Sequence, residues 1–270
     1  MYPIGKTYPG PAHTITAEES AAYASATSDP SPEYVGPDAV CPPMLHVKLL
    51  LPVMEAIAGD PELALDMLRL VHGEHDATFH RPLRPGDRIE TSAILSEVTE
   101  KRSGLLVVGQ LSAHCGGDLV TSARTAYFIR APATSKPKSK SKPPPAAPPP
   151  PPDLVVDWAV GADQSHRYAA ASGDRNPIHT DASVAAAAGL PSVILHGLCT
   201  MAMAGRSVTD AVGASPRELH RLGVRFAGLV FNGATLQTRI WHGPTRDHRF
   251  AVFDGPRPVI TSGIAEFRPC

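Results

Sequence analysis

The chain has 270 residues, 43% of them hydrophobic, with 25 basic residues against 26 acidic ones. That is enough apolar material for one large core or two ordinary ones, and so even a charge balance gives no general reason to expect nucleic acid or an anionic membrane as partner. Cys41, Cys115, Cys199 and Cys270 form no C-x-x-C pair and read as reduced thiols; the first ten residues lack a signal pattern, and no apolar run approaches the ~20 residues that span a bilayer, so a soluble cytoplasmic protein is expected.

In chain order, a short helix is expected near Thr16. A turn-rich stretch comes next at Pro30-Ser31-Pro32. The apolar helix from Met44 to Ala58 is hydrophobic nearly all round and should be enclosed. His72 and His75 fall in a segment that reads as strand, where their spacing does not suit a shared metal. Runs at Ile89–Ser96, Gly104–Ala113 and Leu119–Arg130 alternate or are β-branched, and read as strands. From Ala131 to Pro152 the composition narrows to Pro, Ala, Ser, Thr and Lys, with ten of the 29 prolines. Such a stretch cannot bury apolar surface and favours polyproline II. It reads as a spacer over residues 132–152, or as a ligand for a Pro-binding module, between modules at 1–131 and 153–270. The second module repeats the plan: a helix near Gly161, a turn at Arg175-Asn176-Pro177, an apolar helix from His196 to Val212, then strands at Leu222–Phe226, Ala234–Trp241, Arg249–Phe253 and Val259–Phe267. A long helix with an antiparallel sheet in each half is an α+β plan.

The halves also match residue by residue. Over Ala17–Pro32 and Ala162–Pro177, at a constant offset of 145, seven of sixteen positions are identical, including Tyr23/Tyr168 and Asp29/Asp174. Phe79, Gly86 and Ile89 match Phe226, Gly233 and Leu236 at an offset of 147. This is one module used twice. Tyr34 stands where the second half has His179, and Ser31 where it has Asn176. A tyrosine is too weak an acid near neutrality to replace an imidazole, so the first half is expected to be non-catalytic. It would serve as a binding half for an acyl tail or as a packing partner.

The densest local signal is Ser172-Gly173-Asp174-Arg175-Asn176-Pro177-Ile178-His179. Gly173 permits a tight turn, and Pro177 stiffens the segment around it. The result holds a carboxylate and an imidazole five residues apart, as proton transfer to one substrate requires. With Tyr168 before it and Leu195-His196-Gly197-Leu198 after it, the string resembles the signature of MaoC-like (R)-specific enoyl-CoA hydratases and 3-hydroxyacyl-thioester dehydratases. Val71-His72-Gly73-Glu74 resembles the N-terminal module of their two-module form. The resemblance implies a double hot-dog fold, each long helix wrapped by antiparallel sheet. It implies Asp174 and His179 as the acid/base pair on one water, Asn176 as their orienter, and the Gly197 N–H as the donor to the thioester oxygen. Ser172, Tyr168, His196 and Leu198 are expected at the substrate site, Tyr168 as core or pocket wall and His196 as a packing and hydrogen-bonding residue beside the oxyanion donor. Asp181 is expected to cap the helix after it. No metal and no redox cofactor is implied; the CoA or carrier pantetheine arm is part of the substrate, with Arg206, Arg221, Arg225 and Arg239 as candidates for its phosphates. A homodimer of such chains is compatible with the plan. The rivals are a hot-dog thioesterase and a silent acyl-thioester binder.

Overall fold

The computed structural model describes residues 2–67, 69–132 and 150–269. The first half holds β1 (Thr7–Pro9), β2 (His13–Thr14), α1 (Ala17–Ala26), α2 (His46–Ala58), β3 (Leu70–Phe79), β4 (Arg88–Lys101), β5 (Gly104–Cys115) and β6 (Asp118–Arg130). The second holds β7 (Leu154–Ala159), α3 (Gln164–Ser172), α4 (Ala182–Ala187), α5 (Gly197–Ala211), β8 (Leu219–Phe226), β9 (Thr235–His242), β10 (Asp247–Asp254) and β11 (Arg257–Phe267). All pairing is antiparallel. One sheet of eleven strands runs β1-β4-β5-β6-β3-β8-β11-β10-β9-β7, with β2 beside β4. It curls twice, once around α2 and once around α5, which is the expected α+β double hot dog.

Both long helices are buried nearly all round because sheet surrounds them. Leu50, Val53 and Ile57 of α2 are fully buried, each worth roughly 1.5–3 kcal/mol of transfer free energy. α5 lies so close to β8 that a Cβ on Gly205 would come 2.6 Å from Leu222 Cδ2. The helix predicted from Met44 starts at His46, because Pro43–Leu45 take a 3-10 turn instead. α1 begins with a capping box between Thr16 and Glu19. Two short strands, β1 and β2, and the edge strand β7 were not anticipated; their runs are too short to show alternation by themselves. Most of the expected spacer, residues 133–149, lies outside the described residues. Among the described residues no helix is long and apolar enough to cross a membrane.

The halves meet where β3 pairs with β8, Asp76 opposite Gly223. These two positions are 147 apart, the repeat offset, so a pseudo-twofold axis passes between them. Tyr23 and Tyr168, also repeat mates, meet on it with hydroxyls 3.1 Å apart. Arg221 grips Asp76 at 2.7 and 2.9 Å and reaches Glu266 at 3.0 Å. Gly223 makes this fit, since a Cβ there would sit 2.9 Å from the Asp76 carboxyl carbon.

Behind this seam lie three histidines. His46 Nδ1–H donates to Pro43 O, so its Nε2 accepts from His75 Nε2–H at 3.1 Å, and His75 Nδ1 has no partner. The His72 ring is 5.6 Å from that of His75. Burial pushes His46 and His72 down to about 4 and His75 well below its usual value. The folded state therefore holds them neutral where the unfolded chain binds protons near pH 6.5. Their contribution is intact above that value and is lost as the pH falls below it, by up to about 1.4 kcal/mol per pH unit for each histidine. Urea unfolding from pH 7 to pH 5 should show falling stability, with a flatter slope in His75→Phe. An unchanged slope in that variant would assign the acid sensitivity to other groups.

Candidate active site

The second module's turn is built by a staircase of side chains. Ser172 Oγ accepts from the Asp174 N–H, Asp174 Oδ1 from the Asn176 N–H, and Asn176 Oδ1 from the Ile178 N–H, each at 3.2 Å. Gly173, at φ 85°, ends α3 in the left-handed region and starts the staircase. Asn176 caps the 3-10 turn Pro177–His179, and Asp181 caps α4 as expected. The staircase sets the carboxylate of Asp174 and the ring of His179 on one stiff segment. They make no direct hydrogen bond, so both keep acceptor atoms open.

His179 Nδ1 lies 2.9 Å from Ile194 O. A carbonyl can only accept, so Nδ1 carries the proton and Nε2 presents a lone pair. Burial holds His179 below the usual histidine range, against the pull of Asp174. His196 stacks on it, ring centroids 3.7 Å apart, and Nε2–H of His196 donates to the Asp174 backbone oxygen at 3.1 Å. Gly197 opens α5, so its N–H has no intrahelical acceptor. A Cβ on it would touch the Phe226 ring at 3.2 Å.

One ligand atom from each of Asp174, His179 and His196 lies within 4.8 Å of the others, close enough for a cation. The two imidazoles are stacked face to face, however. The Nε2–H of His196 is already committed to the Asp174 carbonyl, which leaves only its buried Nδ1 as an acceptor.

The first module supplies the opposite wall, which local sequence patterns could not reveal. Lys48 of α2 donates to Ala171 O at 3.2 Å while pairing with Glu19. Leu51, almost one turn on, lies against Gly173. Glu55, a further turn on, feels the charge of Asp174: its carboxyl is raised by partial burial first and by Asp174 second. His72 stands 5.2 Å from Phe226. Helical spacing at 48, 51 and 55 is the only hint of this face in the sequence.

Four residues expected at the substrate site lie behind it. Tyr168 (1% exposed) hydrogen-bonds Tyr23, Ser172 (1%) holds the Asp174 N–H, Leu198 (6%) packs in the core, and His196 is 2% exposed. Their side chains are occupied by packing or by the loop itself. Asn176 likewise spends its carbonyl on the turn. In the first module the staircase persists: Asp29 Oδ1 accepts from the Ser31 N–H and Ser31 Oγ from the Glu33 N–H, both at 3.4 Å. There Tyr34 O–H donates to Asp29 at 2.7 Å and closes the pair on itself. Of the four arginines, Arg221 is committed to Asp76 and Glu266, Arg206 to Asp210, and Arg239 stacks on Phe253. Arg225 lies 3.7 Å from Glu74 on the same outer face as Arg221 and keeps 65% of its side chain exposed.

Comparison with known proteins agrees with this fold. The family model for the MaoC like domain matches residues 144–261, and that for the FAS1-like dehydratase domain region matches residues 3–114. The chain is 32% identical over 214 residues to 3-hydroxyacyl-thioester dehydratase Y of Mycobacterium tuberculosis, covering 73% of this chain and 72% of that one. It is 30% identical over 218 residues to mouse peroxisomal multifunctional enzyme type 2, covering 79% of this chain and 30% of that one. The chain thus spans about a third of the length of that enzyme and of its fly counterpart. The structure of a MaoC-like dehydratase from Phytophthora capsici superposes with a TM-score of 0.82, at 22% identity, over 97% of this chain and 95% of that one.

Replacing Lys48 with Met should cost about 1 kcal/mol and loosen the staircase. Amide exchange across residues 173–180 should speed up in that variant. Undiminished protection would mean the turn is held by its own hydrogen bonds alone.

Proposed function

The chain belongs to the MaoC-like dehydratase family, and from that premise we propose that it is a hydro-lyase that adds water reversibly to a trans-2-enoyl thioester, giving the (R)-3-hydroxyacyl thioester. The observation that carries the reading is the pair of open acceptors, the Asp174 carboxylate and His179 Nε2, on one rigid loop beside the free N–H of Gly197.

In hydration a single water donates one hydrogen to Asp174 and the other to His179 Nε2, so that its oxygen lone pair faces C3 of the substrate. As the O–C3 bond forms, an O–H bond of the water breaks and its proton passes to the pair. The C2=C3 electrons move onto the thioester oxygen as an enolate. The Gly197 N–H at the start of α5 takes up that charge, where the free donors and the helix dipole both favour it. The enolate then collapses and takes the held proton at C2. Because one pair serves both carbons, both additions occur on one face; the (R) configuration depends on which face of the double bond meets the pair, and it is taken from the family resemblance. Dehydration is the same path reversed. No metal or redox cofactor takes part in this proposal. The CoA or carrier arm belongs to the substrate.

The test is loss of enoyl-thioester absorbance with crotonyl-CoA and a longer 2-enoyl-CoA. Asp174→Asn and His179→Ala should each lose about 1000-fold or more in kcat, and the product should be consumed by an (R)-specific 3-hydroxyacyl-CoA dehydrogenase only. Because the required form of His179 is neutral and its pKa is lowered, kcat/KM should hold as pH falls past 6.5 and drop only below it. Full turnover in His179→Ala would overturn the reading.

A further inference from the structure

His196 is the buried group beside the reacting pair to which the proposed reaction gives no task. At 2% exposure its ring has no open path to a substrate. Its Nε2–H is spent on the Asp174 carbonyl, which leaves Nδ1 as an acceptor, and that atom is buried without a partner. Tyr168 encloses it further, ring centroids 4.9 Å apart. An unpaired buried polar atom is destabilising, a cost that an apolar ring filling the same space would avoid. An imidazole can do one thing here that an apolar ring cannot. It lays its face on His179, planes 27° apart, while its edge holds the peptide of Asp174. It therefore touches both members of the pair from behind.

We propose that His196 is a positioning residue: its edge fixes the Asp174 peptide, and its face keeps water from one side of the His179 ring. The inference rests on the reading of Asp174 and His179 as the reacting pair.

The two effects are separable. Tethering the Asp174 peptide sets the distance between carboxylate and imidazole. Covering the His179 ring disfavours its charged form, in line with burial as the main cause of its lowered pKa. His196 itself is pushed down to about 3, by burial and then by His179, so it stays neutral across the working range. The other charged or titratable groups around His179 are Asp174 on the same loop, Lys48 and Glu55 on α2, His72 on β3, and His166 on α3, which contacts Thr180 O. Among the described residues, His196 is the one ring stacked on His179.

The experiment is kcat/KM against pH, with crotonyl-CoA or whichever enoyl-CoA turns over fastest, for His196→Ala and His196→Phe, with far-UV circular dichroism for folding and His179→Ala as control. His196→Ala should lower the plateau by about 10- to 100-fold. It should also move the acid limb to higher pH, by up to about one unit, as water reaches His179. His196→Phe should lower the plateau similarly, because the tether is gone, yet leave the acid limb near its wild-type position, because the face stays covered. An unmoved acid limb in folded His196→Ala, or a wild-type plateau in either variant, would overturn the proposal. If the alanine variant fails to fold, the phenylalanine variant still decides: a wild-type plateau there refutes the tether. Activity surviving in His179→Ala would instead refute the assignment of the pair, so the two failures are distinguishable.

Discussion

The structure depends on the antiparallel pairing of β3 with β8. Without it each module would end in an exposed edge strand, a row of unpaired N–H and C=O groups open to unwanted pairing. With it the two sheets become one, and the helix of each module is brought against the loop of the other. The bidentate grip of Arg221 on Asp76 lies on the outer face of this seam and is partly exposed, so it adds register more than energy. The backbone ladder and the apolar surface beneath it carry the stability.

The shared construction of the site is a consequence of that pairing. The staircase at residues 172–178 is local, made by side chains accepting from the N–H two residues on. Its outer wall is not local, since Lys48, Leu51 and Glu55 come from the first module's helix. The helix of one module thus supports the turn of the other. The first module keeps two steps of the staircase at residues 29–33, and there the phenol of Tyr34, standing where the second module has an imidazole, closes on Asp29. The scaffold of the turn is therefore separable from the groups it presents.

The buried histidines show the same division between local and global. His46, His75 and the partly buried His72 form a neutral cluster behind the seam, and His196 a neutral ring behind Asp174 and His179. In both places the enclosing sheet removes water and keeps the charged form out of reach. The motif spacing put Asp174 and His179 on one turn, but it could not show how completely His196 would be buried, because solvent access depends on Tyr168 and on the elements packed around α5.

The sequence by itself determined everything that short-range regularity encodes. The alternation of the strands, the two all-apolar helices, the repeat at an offset of 145 and the run from Ser172 to His179 were legible because backbone geometry and side-chain period act over a few residues. The α+β double hot dog and the loop bearing Asp174 and His179 could be read from them. The tertiary structure decided the features that long-range closure controls: the order of the eleven strands, the place of Asp76 opposite Gly223, the wall lent by α2, and how deeply Tyr168, Ser172, His196 and Leu198 are buried. Those outcomes depend on which surfaces meet across more than a hundred residues of chain, and no local pattern records that.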